Sequence, residues 1–256
     1  MATAEQGPAL QISGLSKRFG ATIAVDQVNL TVPRGSFFGL VGLNGAGKTT
    51  TLSMSVGLLR PDRGSVRILG IDVWNDPVRA KTLFGVLPDG LSLPERLTGR
   101  EVLTFLGLLR GLDERTVVER AQELLDVLDL TDSENTLVIN YSTGMRKKIA
   151  LATALLHGPR VLVLDEPFEA VDPVSAANIK AILKRFVARG GSVIFSSHVM
   201  ATVEQLCDSL AVMNHGRIVT SGPIETVRAG LSLEDRFLTL VGERATGSEG
   251  LAWLAP

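Results

Sequence analysis

The sequence predicts an α/β fold: a mixed sheet covered by helices, with an N-terminal antiparallel β part and an inserted helical subdomain. Three observations predict it. Residues 10–88 are rich in short β-type runs punctuated by Gly, Pro and Asp. From Thr98 to His157 the apolar spacing becomes helical. Strand and helix patterns then alternate as far as Met213, which is the signature of parallel βαβ units whose sheet needs helices on its faces.

The expected strands of the first part are 9–12, 23–32, 37–41, 65–68 and 82–87, around one helix at 48–58. In the middle block Val102, Phe105, Leu106 and Leu109 mark one helical face, and Val117, Ala121, Leu124, Leu125 and Leu128 a second. Strands return at 160–165, 192–197 and 209–213, with helices at 174–189 and 200–207. The path from Lys48 to Asp165 is too long for a simple connection, so the helical block reads as an insertion. The expected organisation is one domain over 8–232, with its α/β core at about 8–88 and 159–232 and the helical subdomain at about 89–158. In the remaining segment, 233–256, a short amphipathic helix at 233–240 precedes a loose tail from Gly242 to Pro256. No internal repeat is visible, so the chain carries one such module.

With 256 residues, 45% hydrophobic and 21% charged, the chain can bury a substantial core. A formal net charge of −1 gives no electrostatic footprint for nucleic acid, and none is expected as a partner. The single cysteine, Cys207, rules out an internal disulfide framework and reads as a small core residue. The N-terminal residues lack a basic region followed by an apolar stretch, so no secretory signal is expected. The longest apolar stretch, 149–164, is broken by His157, Gly158, Pro159 and Arg160, which leaves nothing long enough to span a bilayer. Any membrane role must come through a partner.

Between the strand at 37–41 and the helix that follows, Gly42, Leu43, Asn44, Gly45, Ala46, Gly47, Lys48 and Thr49 fit G-x-x-x-x-G-K-[ST]. The glycines let successive backbone N–H groups turn inward toward phosphate oxygens, at a helix N-terminus where the macrodipole favours anions. Lys48 adds a cation, the Thr49 hydroxyl is a ligand for Mg²⁺, and Thr50 continues the phosphate-facing turn. Alone, this loop belongs equally to a kinase, a GTPase or a motor. Residues 160–166 form an apolar strand ending in Asp165 and Glu166, and ligands of open α/β sheets bind beyond such carboxyl ends. Asp165 is placed for Mg²⁺ and Glu166 for polarising a water that attacks a γ-phosphate, whereas without the phosphate loop the pair would read as a solvated strand end. Ser142 and Gly144 lie just ahead of a further helix, in a turn that alone would be only a helix cap.

Taken with the phosphate loop and Val161 to Glu166, the segment Tyr141, Ser142, Thr143, Gly144, Met145 resembles the signature motif of ABC-type ATPases, and the resemblance covers residues 10–230. It implies a P-loop ATPase core. It places Phe19 where an aromatic ring stacks on adenine, Val25 as an apolar contact nearby, and Asp172 in the loop that crosses a dimer interface. His198 matches the histidine that contacts the γ-phosphate. Asp89 stands where the family usually has glutamine; being shorter, it reaches Mg²⁺ only through water or after a loop movement. His157 and His215 lack such context and read as structural.

The resemblance implies an ATP hydrolase whose substrate and cofactor are ATP and Mg²⁺, working as a pair with a second ATP-binding subunit, a homodimer. In that pair Ser142 and Gly144 of one chain close over the ATP held by Lys48 of the other. Leu87 and Pro88 before an acidic residue, with the stretch 233–238, resemble the branch serving export permeases. That branch implies integral membrane permease subunits as partners and a cytoplasmic location, peripheral on the inner face of the cell membrane. The rival reading is a soluble ABC ATPase acting on DNA, ribosomes or iron–sulfur assembly; a third is a regulator that binds nucleotide without hydrolysis.

Overall fold

The computed structural model describes residues 7–90 and 92–242; beyond Gly242 the expected tail lies outside the described residues. Strands β1 (Leu10–Phe19), β2 (Thr22–Val32), β4 (Arg63–Ile68) and β5 (Ile71–Asp72) form an antiparallel sheet in the order β2-β1-β4-β5. A second sheet is built from β3 (Phe37–Val41), β6 (Phe84–Leu87), β7 (Val161–Leu164), β8 (Ser192–Ser197), β9 (Ser209–Asn214) and β10 (Arg217–Pro223). Its order is β10-β9-β3-β8-β7-β6, parallel from β9 to β6, with β10 antiparallel on the edge.

Every residue of β3, β7 and β8 is buried, as expected of parallel strands covered on both faces. Alternation divides their side chains between two cores. Phe37, Val41, Leu162, Leu164, Val193 and Phe195 pack with the helical block through Val102, Leu103, Ala121, Leu125 and Ile149. Phe38, Leu40, Val161, Val163 and Ile194 pack against the antiparallel sheet through Leu10, Ile12, Leu30, Val66 and Ile68. The parallel sheet is therefore the shared wall. Phe195 stands edge-on to Phe37 and Phe168 at 5.6 and 5.7 Å, which ties the segment after β7 to the same core.

Helices α1 (Lys48–Ser55) and α2 (Pro77–Leu83) belong to the first part of the chain, and α3 (Gly99–Leu109), α4 (Glu114–Val127) and α5 (Thr143–Leu155) to the inserted block. They are followed by α6 (Pro173–Ala188), α7 (Met200–Leu206), α8 (Ile224–Arg228) and α9 (Leu233–Val241). Local sequence sets their starts: Thr98 and Glu101 form a capping box, while Asp113, Ser142, Asp172 and Ser232 each accept an N–H of the first turn.

Several boundaries differ from expectation. β1 runs on to Phe19 instead of ending at Ile12, because irregular register between Ile12 and Arg18 breaks the alternation that marks a strand. The first part holds two helices: α2 begins at Pro77 behind an Asp76 cap and takes Thr82 and Leu83, which were expected in a strand. α1 stops at Ser55, short of residue 58. The short β5, the edge strand β10 and α8 carry too little periodicity to announce themselves.

Cys207 is buried beside α7, and burial pushes its thiol far above the usual range, so it is an inert core residue. His157 joins the end of the helical block to the sheet: its Nε2 lies 3.0 Å from the Phe84 carbonyl oxygen, while Nδ1 is buried with no hydrogen-bond partner among the described residues. Burial, aided by Arg110, pushes this imidazole down to about 4, so it folds neutral and its Nε2–H donates to Phe84. The unfolded imidazole titrates near ~6.5. Between these values the unfolded chain binds the extra proton, and His157 withdraws stability as pH falls from about 6.5 toward 4. In urea titrations at pH 7 and pH 5 the parent chain should lose more stability on acidification than His157→Gln; equal losses would contradict this account.

Candidate functional site

The site is built where β3, β7 and β8 end. Leaving β3, the chain makes the loop Gly42 to Gly47 and enters α1 at Lys48. Two glycines are required by close approach: a Cβ on Gly42 would stand 2.5 Å from the Met213 carbonyl oxygen, and one on Gly47, whose φ is +103°, 2.4 Å from that of Ala24. The first turn of α1 has no side-chain cap and no acidic residue, so its N–H groups present an anion-binding end. Lys48 is only 6% exposed; its Nζ donates to the carbonyls of Gly42 at 2.7 Å and Leu43 at 3.3 Å.

Asp165 and Glu166 directly follow β7. Asp165 is 3% exposed and its N–H donates to Leu87 at 2.7 Å. The Ser196 hydroxyl, on β8, donates to the Asp165 carboxylate and accepts the Glu166 N–H at 2.8 Å. Glu166 has a φ of +44°, a conformation non-glycine residues rarely adopt. Its Oε1 lies 3.6 Å from Lys48 Nζ and 3.2 Å from His198 Nδ1. His198 comes immediately after β8, which brings it to the same edge.

These elements enclose a cleft of ≈ 350 Å³ lined by Ala24, Leu43, Asn44, Gly45, Ala46, Gly47, Lys48, Thr49, Thr50, Asp89, Glu166, Glu169 and His198. Most of the expected phosphate-site residues thus converge. Lys48 shares the cleft with three carboxylates, Asp89, Glu166 and Glu169, a charge balance that calls for a further cation beside any bound phosphate. Among the described residues no group of three His, Cys, Asp or Glu is placed to hold a metal unaided. Of the expected metal ligands, Thr49 lines the cleft, while Asp165, buried beneath it, borders an adjacent pocket with Leu87 and Pro88; a hydroxyl and a carboxylate are the hard oxygen donors that Mg²⁺ takes, with its remaining positions left to phosphate and water.

Other expected residues lie apart. Phe19, at the end of β1, is 50% exposed and does not line the cleft; Lys17 Nζ stands 5.7 Å from its ring centroid. Val25 is wholly buried in the core and contributes no surface; its neighbour Ala24 lines the cleft instead, as alternation along β2 dictates. Ser142 caps α5 by accepting the Met145 N–H at 3.2 Å, and the turn is exposed at Ser142 and Thr143. Gly144 is packed against α6: a Cβ there would stand 2.7 Å from Asp172 Oδ2. Asp172 caps α6 through the Ser175 N–H at 2.9 Å, and that bond holds its carboxyl below the ordinary range. Ser142, Gly144 and Asp172 thus form a second group, none of which lines the phosphate cleft.

Sequence reasoning missed Ser196, Glu169 and Ala24. Ser196 lies at the polar end of a buried strand, after Val193, Ile194 and Phe195, next to the strand that runs into Asp165, which was the available signal. Glu169 carried none, because only the path of the chain after Glu166 brings it to the cleft.

A sequence profile of the family described as ABC transporter matches residues 25–169. The daunorubicin/doxorubicin resistance ATP-binding protein DrrA of Streptomyces peucetius is 37% identical over 223 residues, 87% of this chain and 68% of that protein. The Nod factor export ATP-binding protein I of Ralstonia nicotianae is 37% identical over 215 residues, 84% of this chain and 67% of that protein. A solved structure of the ATP-binding subunit of an ABC transporter shares the fold with a TM-score of 0.84 at 30% identity, over 91% of this chain and 99% of that one.

Ser196→Ala removes one hydroxyl and leaves both the Asp165 carboxylate and the Glu166 N–H without their partner. It should cost about 1–3 kcal/mol in denaturant unfolding. A loss within experimental error would show that the bridge does not organise this strand end.

Proposed function

This chain belongs to the ABC transporter family and is an ATP-binding, ATP-hydrolysing subunit, and on that premise we propose that it pairs with a second copy around two ATP molecules to drive export through separate membrane permease subunits. The observation that carries the pairing is the separation just described. The exposed Ser142 turn stands outside the chain's own phosphate cleft, free to face the cleft of a second chain.

In this reading Phe19, exposed outside the phosphate cleft, stacks on adenine, and the loop N–H groups from Gly42 to Thr50 cradle the phosphates. Lys48 exchanges its bonds to the Gly42 and Leu43 carbonyls for phosphate oxygens. Thr49 and Asp165 would hold Mg²⁺, with Asp89 on the cleft wall as a further carboxylate toward it, and the ion would supply positive charge against the phosphate oxygens. Glu166 accepts a proton from the water whose oxygen attacks the γ-phosphorus, the bond to the bridging oxygen breaks, and ADP leaves. His198, 3.2 Å from Glu166, orients that carboxylate and contacts the γ-phosphate. Ser142 and Gly144 of the partner close over the same phosphate, and Asp172 crosses the interface beside them. Loss of the γ-phosphate removes the charge-assisted bonds that favour the closed pair, which then opens.

Among the described residues no helix is long and apolar enough to cross a membrane, and in this reading the membrane path belongs to the permease subunits. The helical block offers exposed Phe105, Leu109, Val118 and Ile139 for that docking, together with the Asp89 loop. The relatives that act in daunorubicin/doxorubicin resistance and in Nod factor export support export, and in this reading the chain is held peripherally at the cytoplasmic face.

Glu166→Gln should lower ATP turnover at least a hundredfold and leave an ATP-bound dimer visible by size-exclusion chromatography. Turnover at the parental rate would remove Glu166 as the base. Capture from detergent-solubilised cells should recover a polytopic membrane protein; recovery of ribosomes or DNA in its place would favour a soluble ABC ATPase.

A further inference from the structure

Glu166 is held through its backbone as well as through its carboxylate. A left-handed φ costs a non-glycine residue about 1–2 kcal/mol, so its neighbours must enforce it. On one side its N–H is taken by Ser196 of the parallel sheet. On the other its carbonyl accepts a hydrogen bond from Lys147 Nζ at 3.0 Å. Lys147 belongs to α5, the helix whose cap is Ser142 and whose first turn holds Gly144. One peptide segment is thus pinned between the sheet and the inserted block.

The three consecutive cations of α5 diverge to different partners. Arg146 reaches Glu95 at 2.9 Å and the Ile139 carbonyl at 2.8 Å, and Lys148 stands 3.7 Å from Asp129. Those contacts lie within the segments around the helical block. Lys147 alone of the three bridges to the strand end that carries Asp165 and Glu166. An α-helix of 13 residues transmits displacement along its axis with little compression, because its hydrogen bonds are all internal.

We propose that Lys147 is a positioning residue that links the two ATP sites of a pair. Engagement of the Ser142 and Gly144 turn by the partner's ATP sets the position of α5, and Lys147 carries that position to the Glu166 backbone, aligning the carboxylate over the chain's own ATP. This rests on the reading of Glu166 as base and of the Ser142 turn as completing the partner's site. The coupling is then a differential contact between open and closed arrangements.

The test measures turnover against ATP concentration, and ATP affinity by calorimetry, for the parent, Lys147→Met, Lys147→Arg and Glu166→Gln. Misplacing Glu166 should lower kcat in Lys147→Met about tenfold or more. ATP affinity should stay within about twofold, the Hill coefficient should fall to about 1, and Lys147→Arg should restore both kcat and cooperativity. Lys147→Gln, which keeps an N–H donor on a shorter stem, replaces the methionine variant if that chain melts early. Parental kcat and Hill coefficient in the methionine or glutamine variant overturn the proposal, as does a loss confined to affinity. If Glu166→Gln is inactive while Lys147→Met is parental, only the coupling fails; if Glu166→Gln turns over normally, the base assignment and the coupling fail together.

Discussion

The parallel pairing of β8 between β3 and β7 is the constraint on which the site depends. Val41 is in register with Ser197, and Leu164 with Phe195, so the three strands run out within a residue or two of one another. The phosphate loop, the Asp165–Glu166 pair and His198 therefore emerge at one edge, although they are far apart in sequence. The same pairing seats Ser196 one residue beyond Phe195, from where its hydroxyl serves the Asp165 carboxylate and the Glu166 N–H together. A sheet buried on both faces tolerates little slip, because a shift of one residue exchanges its two cores.

On that edge the chemistry is set by a small number of enforced positions. Gly42 and Gly47 let the loop come close to the carbonyls of Met213 and Ala24, which seats it against β9 and β2. Lys48, nearly buried, lies 3.6 Å from Glu166, so the cation proposed for phosphate and the carboxylate proposed for water share one small volume. Glu166 sits there in a strained backbone conformation that Ser196 and Lys147 hold from opposite sides. The signature turn on α5 and the Asp172 cap of α6 form a separate surface outside that cleft, the one that the proposed pairing turns toward a second chain.

What the sequence made legible follows from where its signals are local. The phosphate loop between a strand and a helix, the acidic end of a buried strand and the Ser142 turn ahead of α5 are written in short spacings, and the structure has these local elements there. Bulges in β1 hid its length, because each irregularity resets the alternation that marks a strand. β5 and α8 are too short for any period to register, and the edge strand β10 alternates only between exposed and half-buried positions. Val25 and Ala24 show the limit at the site itself: one residue of phase in β2 decides which of them reaches the cleft, and composition does not fix that phase. Ser196, Glu169 and Lys147 matter through contacts made across the fold, which no local pattern reveals.

The central claim is that each ATP site joins Lys48 of one chain to Ser142 of the other, and mixing two inactive variants tests it most directly. Lys48→Ala removes the cation of a chain's own cleft, and Ser142→Arg blocks the turn it presents to a partner. In a mixed pair, one site combines both defects while the other has an intact Lys48 and an intact Ser142. The account predicts that mixing the two variants restores ATP turnover to a substantial fraction of the parental rate. If every site were complete within one chain, both variants would remain inactive in the mixture, and a mixture with no recovered turnover despite demonstrated pairing would contradict the account.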